Sequence, residues 1–161
     1  VLGDMTVLGG GMVTHSLRHE AGLVLIVVGT LDVQAGGLID VTAKGLRGGR
    51  NGSDFGTSGE AYDDSGTIVA GATGGNYGVG ASYGGRGALG HQYGTIGVPN
   101  DEYGFLEDAI WLGSGGSAST YSNAAGGHGG GRISITAGSL VNEKKTHSSR
   151  SEPASPMSKD W

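Results

Sequence analysis

The chain contains no cysteine and only three prolines, and only 16% of its 161 residues are charged. Without cysteine there is no disulfide framework to staple a small core. The prolines are too few for collagen, and the glycines follow no Gly-X-Y period. Long apolar runs are missing too. The longest, Leu23 to Val28, is six residues, far short of the roughly 20 that cross a bilayer as a helix, so no membrane insertion is expected. Ten basic residues are scattered among fifteen acidic ones, which leaves no electrostatic footprint for nucleic acid. The net charge of -5 is also too small to hold the chain open as a disordered polymer.

What is abundant is glycine, 36 residues in all. Each glycine inside a helix costs about 1 kcal/mol relative to alanine, which excludes an ordinary helical protein. Much of the chain has no side chain to bury, so ordering it requires dense backbone hydrogen bonding or contact with further copies of the chain.

Four zones follow one another. Residues 1–21 show no clear period. Residues 22–45 read GLVLIVVG, TLDVQAGG, LIDVTAKG: three octets, each closed by glycine, in which Leu31 aligns with Ile39, Asp32 with Asp40, Val33 with Val41 and Ala35 with Ala43. Apolar and polar residues alternate within them, the mark of strands with one buried face. Residues 45–131 hold 27 glycines, a content in which no conventional strand is expected by propensity. Tyr77, Tyr83, Tyr93, Tyr103 and Trp111 are spaced through this zone, which favours closely packed extended backbone over a solvated loop. Alternation returns at Gly131 to Val141, so strands around Leu31, Ile39 and Ile133 are expected in one stack, with the glycine zone as an excursion from it. The last zone, residues 142–161, has no glycine, five serines and seven charged residues; it reads as a polar tail or arm, held by Met157 and Trp161, on a glycine-rich β domain spanning 1–141.

The run from Gly22 to Gly45, then Ser82 to Gly87, Trp111 to Gly116, and Gly126 to Ile133 resembles, in that order, the glycine-rich β-helix-like modules of large bacterial surface or secreted proteins; Tyr93-Gly94 and Val98-Pro99 fill that pattern's turn slot. The resemblance implies an extracellular or cell-surface structural or adhesive module and carries over no catalytic residue. A single copy with an unlike tail also fits an orphan product of a mobile gene cassette. The expected fold is therefore all-β, a short right-handed β-helix or β-solenoid with a glycine-rich excursion. The alternative is polyproline-II-like packing of the glycine segments. Exposed end coils invite association, so the expected partners are further copies of the chain, with Leu23 to Val28 at the interface or in the core, and a surface glycan.

Several groups could carry chemistry. Asp32 and Asp40, stacked in equivalent octet positions, would place carboxylates about 5 Å apart and could share a calcium ion; outward, solvated aspartates explain the same pattern. Gly48 to Asp54 is similar to one imperfect copy of a calcium-binding nonapeptide. His15 and His19 would share a helix face as metal ligands, but Gly22 ends the segment and no third ligand follows. His91 and His128 stand among glycines. Asp101, Glu102, Glu107 and Asp108 surround Tyr103 and Phe105, and clustered carboxylates of this kind serve polysaccharide lyases and hydrolases. If those carboxylates converge in a groove with an arginine, an enzyme is favoured; if they are scattered on solvent, a binding module is. The glycine runs lack the strand-to-helix context and Lys-Ser/Thr pair of a phosphate loop. The expectation is a non-enzyme with no catalytic, metal or cofactor site.

Overall fold

A computed structural model describes residues 1–50, 52, 56–73, 78–92, 94–105, 107–119 and 124–142. The expected tail anchors Met157 and Trp161, and also Tyr77 and Tyr93, lie outside the described residues. So do Asn51, Ser53 and Asp54 of the nonapeptide-like run. The described chain is mostly β and contains no helix, hence none long and apolar enough to cross a membrane.

The alternation of residues 22–33 produces one long strand, β3 (Leu23–Val33), not two octet strands. Val27 and Leu31 point into a core, while Val24, Ile26 and Val28 on the opposite face are exposed. The run Leu23 to Val28 thus contributes to both core and surface. β3 is the centre of a parallel sheet between β1 (Met5–Val7) and β10 (Ile133–Asn142). Met5 pairs with Leu31 and Val7 with Val33. In a second parallel pair, β2 (Met12–Val13) meets β4 (Leu38–Ile39), with Met12 opposite Leu38. Both pairings join residues 26 apart, so the structural repeat is 26 residues, not eight. The turns between the strands stack as well. Gly11 N–H donates to Leu8 C=O, Gly37 N–H to Gln34 C=O, and Gly10 N–H to Gly36 C=O across the two layers. Gly10 and Gly36 have φ of 80° and 86°, a region that glycine enters without steric cost.

The octet expectation fails at Gly29. That glycine is no corner; it lies within β3 and donates to Gly3 C=O at 2.8 Å, and the approach is close enough that a Cβ there would overlap Asp4 and one on Gly138 would overlap Val28 C=O. Three chain passes close on one another at glycine, where the β3–β10 register shifts between Ala137 and Ser139. Leu31 and Ile133 therefore share a sheet as expected, while Ile39 lies in the smaller β2–β4 pair. It still packs with Val13 and Val33 on the core of Val7, Val27 and Leu31.

The chain leaves this stack after Val41 and returns beside it, with Gly131 N–H donating to Val41 C=O at 2.8 Å. A Cβ on Gly131 would meet Val41 and His15. Between those points the described residues form five short antiparallel strands, contrary to the expectation of none: β5 (Glu60–Tyr62), β6 (Ile68–Ala70), β7 (Ala72–Thr73), β8 (Gly90–Gln92) and β9 (Thr95–Pro99). Most of them fall where glycine thins and β-branched or aromatic residues can pair across strands. β5 pairs with β6, and β9 lies between β7 and β8.

The densest glycine runs form no strand. Segments 45–49, 113–119 and 124–130 lie side by side and bond in a cycle. Leu46 and Gly49 N–H donate to Gly113 and Gly116 C=O. Gly113, Gly116 and Ser119 donate to Gly130, Gly127 and Ala124. Gly129 and Gly126 donate back to Leu46 and Gly49, at 2.8–3.0 Å throughout. Every step is three residues. A Cβ on Gly48, Gly115, Gly126 or Gly129 would overlap a neighbouring carbonyl, whereas Gly127 and Gly130 face open space. Beside this ladder sits a second core, Leu46, Ala61, Tyr62, Tyr103 and Leu112, with Tyr83 and Trp111 against it. Of the spaced aromatics, Tyr83, Tyr103 and Trp111 are packed there, as their spacing leads one to expect. The four sheets of the described residues are small and open, and no closed β-helical coil is identified among them.

Candidate functional site

The aromatic core opens onto a cleft. Tyr62 ends β5, and the turn after it, Asp63-Asp64-Ser65-Gly66, is set by the Asp63 carboxylate, which accepts from Ser65 N–H, Ser65 Oγ and Thr67 N–H at 2.7–2.9 Å. The Ser65 hydroxyl bond, followed by the backbone bond from Thr67, holds Asp63 below the usual carboxylate range. The opposite wall is Asn100 to Phe105, immediately after β9. Ser82 Oγ donates to Asn100 C=O at 2.7 Å, and Asn100 N–H donates to Gly71 C=O at 3.1 Å. Gly104, at φ 70°, lies against the Tyr83 ring and lets the wall bend outward.

Two adjoining hollows of about 240 and 260 Å3 share Asp63 and Asp64. One is completed by Tyr62, Val69, Asn100 and Asp101, the other by Glu102, Tyr103, Phe105 and Trp111. The floor is a stack of rings. Tyr62 meets Trp111 at 5.0 Å and Tyr103 edge-on at 5.5 Å, and Tyr83 meets Tyr103 edge-on at 5.2 Å, arrangements that aromatic quadrupoles favour. Burial pushes the Tyr62 hydroxyl up to about 12. Tyr103 is raised further, again by burial first. The Tyr103 hydroxyl directs its one proton between Leu112 C=O at 2.9 Å and Ser114 Oγ at 2.8 Å, and Ser114 Oγ donates its own proton to Ser82 C=O. Tyr103→Phe leaves the buried Leu112 carbonyl unpaired, so it is expected to cost about 1–3 kcal/mol in urea unfolding; a loss under about 0.5 kcal/mol would show that this relay does not hold the wall.

Of the carboxylates singled out in the sequence, Asp101 and Glu102 line the cleft, whereas Glu107 and Asp108 are exposed elsewhere. The cleft draws its other acids from Asp63 and Asp64, which the sequence reading passed over. Their signal was an Asp-Asp-Ser-Gly turn between Tyr62 and Ile68. No arginine lines the cleft among the described residues. The convergence expected of a lyase or hydrolase groove is thus half met, and its cation is missing.

A second polar cluster is built on Glu60, two residues before Tyr62 on β5. Glu60, 4% exposed, accepts from Arg18 Nε at 3.0 Å, from Arg47 N–H and Nε at 3.0 Å, and from Arg47 Nη2 at 2.6 Å. Burial alone would raise this carboxyl, but the Arg47 hydrogen bonds and the two guanidinium charges hold it below its ordinary value. Arg18 comes from the loop between β2 and β3 and donates its own N–H to Lys44 C=O at 3.0 Å. Glu60 therefore ties the parallel stack to the glycine ladder.

The remaining candidates separate. Asp32 and Asp40 do not stack. Asp32 lies on β3 opposite Thr6 and Val141, with one carboxylate oxygen shielded and unpaired among the described residues. Asp40, beyond β4, accepts from Thr42 N–H at 2.8 Å, and its hydrogen bonds to Thr42 lower its pKa. His15 and His19 sit on a loop, not a helix, with ring centroids 6.0 Å apart. His15 is buried, its Nδ1 is 2.8 Å from Ser16 C=O, and its Nε2 faces Gly131. His91 is exposed on β8. His128 Nδ1 accepts from Gly48 N–H at 3.0 Å, which makes it part of the ladder. Among the described residues no three His, Asp or Glu side chains are placed to hold a metal ion. No protein-family model matches the chain, and no curated protein or solved structure resembles it closely enough to count as a match.

Proposed function

We propose that the chain is a non-catalytic structural or adhesive module of the surface or secreted type, which binds a glycan in the aromatic cleft and assembles with copies of itself. In this reading β1–β4 and β10 are successive rungs of a short right-handed β-solenoid. The three-residue hydrogen-bond step of the glycine ladder is the repeat of polyproline II. The observation that carries the binding role is the cleft itself: exposed carboxylates of Asp64, Asp101 and Glu102 beside the exposed ring of Phe105 and the half-buried ring of Trp111, with the buried rings of Tyr62 and Tyr103 beneath. Sugars present a C–H face that packs on rings and hydroxyls that donate to carboxylates, so such a lining suits them. Catalysis by two carboxylates needs environments that push their pKa values apart, and the solvent-exposed rim favours binding over such acid-base work.

Phe105 is 68% exposed at the cleft's lip, so Phe105→Ala can be made without disturbing the core. In binding to immobilised neutral and acidic polysaccharides, this variant is expected to lose at least tenfold in affinity against the parent, and Asp101→Asn severalfold. Equal binding by parent and Phe105→Ala, or reducing-end release from any of the polysaccharides, would remove the reading.

A further inference from the structure

The β1–β3–β10 sheet ends at β10, and among the described residues nothing pairs with its outer edge. β10 is ten residues long and has neither charge nor proline, the features by which exposed edges are ordinarily blunted. Ile135 and Leu140 are 40% and 63% exposed. With Val33, Leu38, Ile39 and Asn142 they line an open cavity of about 370 Å3. Val33 and Ile39 also pack on the core of Val7, Val27 and Leu31, so the cavity is that core's uncovered end.

We infer that a second copy of this chain covers this end, with β10 of one copy pairing antiparallel to β10 of the other about a two-fold axis. The inference rests on the self-association proposed above and names its surface. Strand length selects the partner: the sheet's other free edge, β1, is three residues, so the ten residues of β10 are matched only by β10. A strand that pairs with its own copy closes a dimer about a two-fold axis, and among the described residues leaves the joined sheet with only its three-residue β1 edges. Charge points the same way. Copies of a chain with net charge -5 repel one another over most of their surface, yet neither β10 nor the residues lining this cavity carry a carboxylate.

Sedimentation velocity and light scattering over a concentration series test this with the full chain, Leu140→Lys at the edge, and Val28→Lys on the outward face of β3. The parent is expected to dimerise, Leu140→Lys to weaken the dimer at least tenfold with its far-ultraviolet spectrum unchanged, and Val28→Lys to leave it intact. Amide exchange in Ile133–Asn142 is expected to slow with rising parent concentration, a readout that needs no variant. A dimer that survives Leu140→Lys and dissociates with Val28→Lys overturns this surface and keeps self-association. A parent that stays monomeric at every concentration overturns both. Dimerisation only after removal of residues 143–161 also overturns the inference, because the chain's own terminus would then be the occupant.

Discussion

Gly129→Ala is expected to cost at least about 3 kcal/mol in urea unfolding, or to prevent folding, while Gly130→Ala one position on is neutral or gains about 0.4–1 kcal/mol. A Cβ on Gly129 would overlap the Gly113 carbonyl, and one on Gly130 meets nothing within 4 Å. The overlapped atom is backbone fixed by its own hydrogen bonds: Gly113 N–H bonds Gly130 C=O and Gly113 C=O accepts from Leu46 N–H. No side chain can move aside. Gly130 keeps an ordinary φ, so there alanine acts chiefly by narrowing the unfolded ensemble. Gly126 and Gly127 form a second pair with the same contrast. Equal losses at Gly129 and Gly130 would mean that the three segments are not in this register.

Arg47→Met is expected to destabilise the protein by about 3–5 kcal/mol at pH 7, the cost of leaving a buried carboxylate short of its partner. Glu60 would keep only Arg18 of its two cations. The pH dependence isolates the Glu60 share of that loss. In the parent the folded-state pKa of Glu60 lies below 4.5, so as pH falls below that value the unfolded chain takes up the proton first and parent stability declines. In Arg47→Met burial instead favours the protonated carboxyl. The difference between parent and variant should therefore be largest at neutral pH and shrink between about pH 5 and 3. Thermal unfolding across that range checks it; a gap that is small at pH 7, or that does not narrow in acid, would remove Glu60 as the tie between the two cores.

The β character, the last strand and the side-by-side departure and return of the excursion were legible, because alternation of period two survives in any context where one face is buried. The 26-residue repeat was not. Met5-Thr6-Val7 against Leu31-Asp32-Val33, and Met12-Val13 against Leu38-Ile39, agree in class and seldom in identity. The octets Leu31-Asp32-Val33 and Ile39-Asp40-Val41 agree almost letter for letter, yet fall on either side of one turn. Identity misled because a buried face selects for apolarity, not for a particular residue. The glycine ladder was legible only as a need for close backbone packing. Its partners are far apart in the chain, and glycine carries no side chain that could name them. Asp101 and Glu102 were legible beside their aromatics. Arg18 and Glu60, 42 residues apart, meet only through the path of the fold.

The ladder also fixes how this molecule responds to temperature. Its segments remove peptide groups from water with little hydrocarbon, and hydration of polar surface lowers the heat capacity of unfolding where apolar surface raises it. Such a chain has a flatter stability curve than an oil-rich domain of equal length. It loses less on cooling, because little of what holds it together is the part of the hydrophobic effect that fades in the cold.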